Sequence, residues 1–531
     1  MATARELPIQ TVREGVNATD MANTIFGDGV QVVGATYYGD RDSAGIYTNG
    51  DSVSPGATPS DRGVILSTGN AEDYTSGSWW GGTNTNTSQN TSTNTSGVNN
   101  NSDFNTAAGT NTYDAAWLDV DFIPTGDVMT MQFVFSSEEY PEFQNSVYQD
   151  FVGVWINGQF VEMTIGDGDT DPGNVNQTNN FNMYLDNTND TYNTEMDGLT
   201  ITMTLTIPVI AGTINSIRIG IADVSDQNYD SNLLIAADSV QTQLVANTDD
   251  AHVAPDGSKV VDVLANDVNN GTGSLTITHI NNVAVVAGQT ITLPTGQQVL
   301  LNADGTLTLI GDGDSEDFNF TYKVSNGDNT DVGYVNVSSI PCFVAGTMIA
   351  TPSGEARVEQ LVPGDLVMTQ DDGPQPLRWI GQRTVAAAGK FAPICVRANT
   401  FGSHRELLVS PEHRILIRDS LAELLFGEAE VLVAAKDLVN DRSVRARAGG
   451  EVTYVHLMFD KHQVVFSEGL ATESFLPGPQ TEKSFEKDIL DEICALFPEL
   501  DPSTGEGYSP AARRTLKHYE ADLWRRAQKV A

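Results

Sequence analysis

Along the first 245 positions, apolar and polar residues alternate with a period of two. The stretches "LDVDFIP" (118–124), "MTMQFVF" (129–135) and "FVGVWING" (151–158) are separated by clusters of Gly, Asn, Asp and Thr. Such alternation predicts half-buried strands and the clusters predict turns, so residues 1–245 read as a β-sandwich or jelly roll. Over residues 246–340, "VVDVLANDVN", "LTITHI", "GTLTLIGDGDSEDFNFTYKVSNG" and "VGYVNVSSI" give about seven short strands, enough for a second, smaller sandwich acting as a spacer. Residues 341–479 are strand-rich again, with Pro/Gly turns at "TPSGE", "VPGD" and "DDGPQP". After Pro479 the period lengthens: "EKSFEKDILDEICALF" and "PAARRTLKHYEADLWRRAQKV" predict two amphipathic helices in a tail over 480–531. The expected fold is therefore mainly β, three β domains with a helical tail. Two local features complete the pattern. "NATDMANTIFG" (17–27) predicts a short helix capped by Thr19 or Asp20, and the low-complexity stretch Thr83–Asn105 predicts a flexible loop.

Composition narrows the functional classes. Apolar residues make up 40% of the 531, enough for real cores. No apolar run approaches the roughly eighteen residues that a membrane-crossing helix needs. The start, "MATARELPIQTVREG", lacks an apolar h-region, which leads to the expectation of export without a cleavable N-terminal signal. The formal charge of −42 is uneven: residues 1–341 hold 43 acidic and 7 basic residues, residues 342–531 hold 27 and 21. So acidic a first part repels nucleic acid, which is excluded as a partner. Acidic, Asn/Gly-rich loops do suit Ca2+, a hard cation that takes oxygen ligands. The candidates are Glu138, Glu139 and Asp150 around "SSEEYPE", and Asp223, Asp226 and Asp230 in "ADVSDQNYD"; the alternative is a solvated acidic surface. "DGDTDPG" (167–173) has the 1-3-5 spacing of a calcium loop but lacks the later Gly and Glu, so an EF-hand is rejected.

The first two regions carry resemblances. "GVILSTGNAEDYT", "FVFSSEEYPEFQNSVYQDFVGVWING" and "IGIADVSDQNYDSNLLIAADS" resemble the bacterial choice-of-anchor L domain over roughly residues 15–240. That family implies a β-sandwich on an extracellular or cell-surface protein, with a surface or matrix ligand that the sequence leaves unknown. "VLANDV" and "FTYKVSNG" resemble the cadherin-like repeats of large bacterial adhesins.

The three cysteines are Cys342, Cys395 and Cys494, so no disulfide framework supports the first 341 residues. Cys494 falls on the apolar face of a predicted helix, where a buried structural role is the default. Cys342 stands at a compositional boundary, directly after Pro341. A peptide bond before a cysteine can undergo an N-to-S acyl shift, in which the thiolate attacks the preceding carbonyl and a thioester results. The amide is favoured at equilibrium, so the protein must activate the thiol, polarise the bond and protonate the leaving nitrogen. That chemistry calls for a histidine acid and a hydroxyl or amide on the carbonyl. Four histidines lie between Cys342 and Pro479: His404, His413, His456 and His462.

Taken together, "CFVAGTMIATPSGEARVEQLVPGDLVMT", "LLVSPEHRILI" and "VTYVHLMFDKHQVVFSEG" resemble, in the right order, the blocks of the Hint domain shared by hedgehog autoprocessing domains and inteins. The resemblance implies Cys342 as nucleophile on the Pro341 carbonyl and His413 as the acid for the departing nitrogen. Ser410 would then hydrogen-bond near the scissile peptide, while His462, with His456 in the place of an aspartate, would assist resolution. For His456 the competing reading is an ordinary strand residue. Splicing is excluded, because inteins end in a His-Asn pair and this chain has no asparagine after Asn440. Pro341 also departs from the pattern, its ring crowding the carbonyl; a cis Ile340–Pro341 bond would help to orient it. What remains is a half reaction, without cofactor, in which water, an amine or a thiol resolves the thioester. The competing classes are a non-enzymatic adhesive or structural surface protein with a catalytically decayed Hint fold, and a cysteine hydrolase acting on external substrates.

Overall fold

The computed structural model describes residues 5–76, 86–144, 146, 148–161, 163, 170–251, 253, 258–312, 318–337, 342–387, 392–440, 442–476, 497, 508–516, 521, 524 and 525. The chain divides into two compact units, residues 1–249, 260–308 and 318–336 in one and residues 250–259, 309–317 and 337–531 in the other.

The first unit is built on a β-sandwich. One sheet centres on Arg62–Ser67, Ser231–Ala236 and Val128–Ser137; the other runs Val30–Tyr38, Thr112–Pro124, Asn215–Val224, Phe151–Ile156 and Gln159–Val161, all antiparallel. From Leu118 on, Leu118, Val120 and Phe122 alternate with the more exposed Asp119, Asp121 and Ile123, as their spacing predicts. Ser231–Ala236 is instead buried at every position, which a period-two pattern cannot announce. The helix forms at Ala18–Ile25, but its cap is Asn17 rather than Thr19 or Asp20. The Asn17 side chain accepts from the Thr19 and Asp20 amides while Asp20 accepts from the Asn17 amide, a capping box that satisfies otherwise orphaned N–H groups. A second helix, Ser102–Ala108, capped by Asn101, takes up the end of the stretch expected to be loop.

The strands Thr276–Ile280, Val283–Ala284 and Phe318–Ser325 form part of a smaller five-stranded sheet in the same unit. Buried polar contacts bind it to the large sandwich: Asp331 accepts from Thr204 Oγ1 (2.9 Å) and the Ala246 amide (2.8 Å), and Asn182 donates to the Asn319 carbonyl (2.9 Å).

The second unit contains two sheets. The six-stranded one has the order Trp379–Ala386, Glu451–Met458, Phe343–Val344, Leu407–Val409, Ile394–Val396, Val444–Ala446. The nine-stranded one runs through Met348–Thr351, Val464–Ser467, Leu470–Glu473, Arg414–Arg418 and Glu430–Ala434. Its last member is Arg514–Thr515, parallel to Glu430–Ala434, so the segment expected to be helical over 510–530 includes a strand; Ala521, Trp524 and Arg525 are helical. Phe343, Ile349, Val409, Ile415, Val433 and Val455 lie in one apolar core between these strands. The first predicted tail helix and Cys494 lie outside the described residues, apart from Phe497.

Candidate functional site

Cys342 immediately precedes the short strand Phe343–Val344, which pairs on one side with Val455 and Tyr454 and on the other with Val409. As an interior strand of its sheet, it holds the thiol in a buried place: Cys342 is 7% exposed and packs with Val344, Ala387, Val452 and Tyr454. Its main chain is clamped twice by one residue. The Cys342 amide donates to Ser410 Oγ (2.8 Å), and the Ser410 amide donates to the Cys342 carbonyl (2.9 Å). Ser410 opens the turn "SPEH" between Leu407–Val409 and Arg414–Arg418, and the turn closes when the His413 amide donates to the Ser410 carbonyl. The sequence blocks containing Cys342 and Ser410 thus meet at the amide that the acyl shift would break.

His456 comes from the facing strand, with Nε2 3.5 Å from Cys342 Sγ, and its ring lies near those of Trp379 and Phe475. His413 is packed against Phe343, ring centroids 4.3 Å apart. Neither of its ring nitrogens has a hydrogen-bond partner among the described residues, although the residue is buried. An unpartnered buried imidazole is a rare and expensive arrangement, of the kind found where a reacting group completes the bonding. Burial pushes its pKa down to about 4; the nearby Glu473 opposes this, and His456, Arg414 and His462 add to it. At neutral pH the His413 ring is therefore uncharged.

His462 sits apart from the thiol. Its Nε2 is 3.1 Å from the Ser474 carbonyl and 3.5 Å from Glu473 Oε2. Its Nδ1 accepts from the Ala512 amide at 2.9 Å. Sequence reasoning missed Glu473 and Arg414. The fully buried Glu473 accepts from the Arg414 amide (2.8 Å) and pairs with its guanidinium (3.2 Å). Burial pushes the Glu473 pKa up, but Arg414, helped by His462 and His413, outweighs this and holds it at about 2. An acidic residue at a strand end ordinarily reads as solvent-exposed, so only the neighbouring "HR" of "PEHR" could have hinted at a buried partner. Cys395 is buried and its thiol pKa is raised by burial and by Glu406. His404 is engaged locally, with Nε2 accepting from the Thr400 and Phe401 amides. Pro341 and the Ile340–Pro341 bond lie outside the described residues.

The six calcium candidates are not arranged as a metal centre. Among the described residues no group of three or more His, Cys, Asp or Glu side chains could hold a metal ion, so the Ca2+ expectation is not supported. The carboxylates instead tie down loop backbone: Glu138 accepts from the Thr91 amide, Asp230 from Thr93, Asp150 from Val224, Glu139 from Asp150 and Asp226 from Asn228. Five of them are buried, and burial before all else raises their pKa, to about 8 for Glu138, about 9 for Glu139 and about 6 for Asp230, and well above normal for Asp150 and Asp223. Residues 164–169, before and within the "DGDTDPG" stretch, lie outside the described residues.

Comparison with known proteins adds two matches. Residues 341–479 match the family model of the Hint domain, and residues 10–241 that of the choice-of-anchor L domain. Neither match includes residues 246–340, the stretch that resembles cadherin-like repeats. No curated protein matches the chain. Among solved structures, the crystal structure of the gp41-1 intein aligns at 12% identity, covering 25% of this chain and 98% of that one, with a TM-score of 0.17. Extracellular domains 3–5 of Drosophila OTK align at 10% identity, covering 62% and 84%, with a TM-score of 0.15.

Proposed function

We propose, for a chain that carries a choice-of-anchor L domain at residues 10–241 and a Hint domain at residues 341–479, that the second domain cleaves the chain once, in cis, at Pro341–Cys342. The choice-of-anchor L domain points to an extracellular or cell-surface protein, and no described helix is long and apolar enough to cross a membrane. The observation that carries the reading is the convergence on Cys342: its amide on Ser410 Oγ at 2.8 Å and its thiol 3.5 Å from His456 Nε2.

In this reading His456 takes the thiol proton and the thiolate adds to the Pro341 carbonyl carbon. A C–S bond forms and the C–N bond to Cys342 breaks. The thiol proton ends on the new α-amino nitrogen, so the step is an isomerisation of amide and thiol to thioester and amine. Ser410 Oγ accepts from that nitrogen in the resting state. As the nitrogen becomes basic, the same short contact can return a proton to it. His413, uncharged at rest, serves as the second proton carrier, with the Glu473 anion as the counter-charge for its protonated form. His462 acts through Glu473 rather than on the thiol. Water, an amine or a thiol then takes the acyl group and Cys342 Sγ leaves as the thiol. Water releases residues 1–341 with a free carboxylate, whereas an amine or thiol joins them to another molecule. No cofactor enters these steps.

Intact-mass analysis of the purified chain with and without hydroxylamine tests this reading. A fragment ending at Pro341, or its hydroxamate, that disappears in Cys342→Ala is the expected result. A folded chain that stays whole under every condition would leave the decayed scaffold as the better account.

A further inference from the structure

The segment after the matched Hint residues is built into the site. Tyr508 and Phe497 pack against Trp379, Met458 and Phe475, and Trp379 and Phe475 in turn line the His456 ring. Ser509 Oγ accepts from the His462 amide at 2.7 Å, and the Ala512 amide donates to His462 Nδ1 at 2.9 Å. The contacts that hold this segment are numerous. Arg513 bridges Asp371 and Glu430, Arg514–Thr515 extends the nine-stranded sheet, and Trp524 Nε1 donates to Asp419, the cap of helix Ser420–Phe426.

From this arrangement we infer that residues 508–516 are a positioning element of the processing domain, in which the Ala512 N–H holds His462 in the tautomer that presents Nε2–H to Ser474 and Glu473. A neutral imidazole has one donor and one acceptor nitrogen, and which is which follows from its partners. With Nδ1 receiving the Ala512 hydrogen, the ring proton must sit on Nε2, directed at the Ser474 carbonyl with Glu473 Oε2 beside it. Without the Ala512 donor the proton is free to move to Nδ1. No longer pinned at Nδ1, the ring can turn away from the Ser474 carbonyl and Glu473, so that Nε2–H is no longer the favoured form. Glu473 would lose a donor, and with it part of the bonding that fixes its carboxylate as the counter-charge for a protonated His413. His462 is thus a positioning residue that acts through Glu473, and the tail sets its state.

The kinetic consequence rests on the autoprocessing reading; the tautomer does not. The experiment therefore uses two readouts on the full chain, comparing Ala512→Pro, which removes the N–H, with Ala512→Gly, which keeps it. In 15N-histidine-labelled protein, the His462 ring should show the Nε2–H pattern in wild type and Ala512→Gly. In Ala512→Pro it should show a mixture of tautomers. The rate of cleavage should fall roughly a hundredfold in Ala512→Pro, the scale expected when catalytic groups are slightly misplaced, and its pH profile should change shape. A folded Ala512→Pro with the Nε2–H pattern retained, or with unchanged rate and pH profile, overturns the inference. Where Ala512→Pro does not fold, the wild-type spectrum decides, and an Nδ1–H or doubly protonated His462 ring there overturns the inference. A wild-type chain that shows the predicted tautomers yet never cleaves sinks the autoprocessing reading while leaving the tail's positioning role standing.

Discussion

The two matched domains both bury ionisable side chains, and they do so in opposite ways. In the choice-of-anchor L domain, Glu138, Glu139, Asp150, Asp223 and Asp230 are buried with other carboxylates as their charged neighbours, and all are pushed toward the protonated form. In the Hint domain the buried carboxylate Glu473 has Arg414 and two histidines around it and is held ionised, while the buried His413 is held neutral. Acid-rich composition alone does not distinguish these cases. Burial raises the pKa of every one of these carboxyls, and what differs is the counter-charge: neighbouring carboxylates add to the rise, whereas the guanidinium beside Glu473 outweighs it.

The sharpest break in that comparison is a matched pair of substitutions. Glu473→Gln removes a buried anion and with it the 3.2 Å ion pair to Arg414, which is expected to destabilise the Hint domain by about 3–5 kcal/mol. Glu138→Gln replaces a group already neutral at pH 7 and should shift the first domain by less than about 1 kcal/mol. Calorimetric unfolding of each variant decides it, and comparable losses in both would show that the two carboxylates are in the same charge state.

The same difference predicts opposite responses to acid. His413 has a folded pKa of about 4 against 6.5 ordinarily, so between those values the unfolded chain binds more protons. Its contribution is present above pH 6.5 and is lost as pH falls toward 4, a swing of up to about 3 kcal/mol at 1.36 kcal/mol per unit. Glu138 and Glu139 shift the other way, from 4.5 to about 8 and about 9. Their contribution is full below pH 4.5 and is lost as pH rises through 8 to 9. On lowering pH from 7 to 5, the calorimetric transition identified by Glu473→Gln should move down in temperature and the choice-of-anchor transition up. Movement of both in one direction would refute the opposed charge states.

Much of this was legible in advance, for reasons that differ by residue. Period-two alternation marked the strands because one face of each is buried. Cys342 stood out because charge and cysteine usage change where it stands, and Ser410 and His413 because "LLVSPEHRILI" resembles a Hint block whose two members a short turn keeps close in sequence as in space. Glu473 was not legible, since its burial is set by Arg414, 59 residues away. Nor was the Arg514–Thr515 strand, whose helical spacing yields to a sheet edge supplied by Glu430–Ala434. The helix cap was misplaced by two or three positions because Asn17, Thr19 and Asp20 can all cap, and only the geometry selects Asn17. Asn17→Ala should accordingly cost the first domain about 1 kcal/mol, while Thr19→Ala should cost less; a larger loss from Thr19→Ala in thermal melts would restore the original assignment.

The smallest expected effect separates protons from metal in the acidic domain. If the buried carboxyls are neutral, millimolar calcium at pH 6 has no anionic cage to enter and must displace protons to bind. The choice-of-anchor transition should then be unchanged by calcium or by EDTA at that pH. A ligand that binds only the folded state raises its melting temperature by mass action. A calcium-dependent rise of several degrees, lost in Glu139→Gln, would mean that the carboxylates give up their protons to a cation. The contrast between the two domains would then lie in the counter-ion, a bound metal in one and an arginine in the other, rather than in protonation.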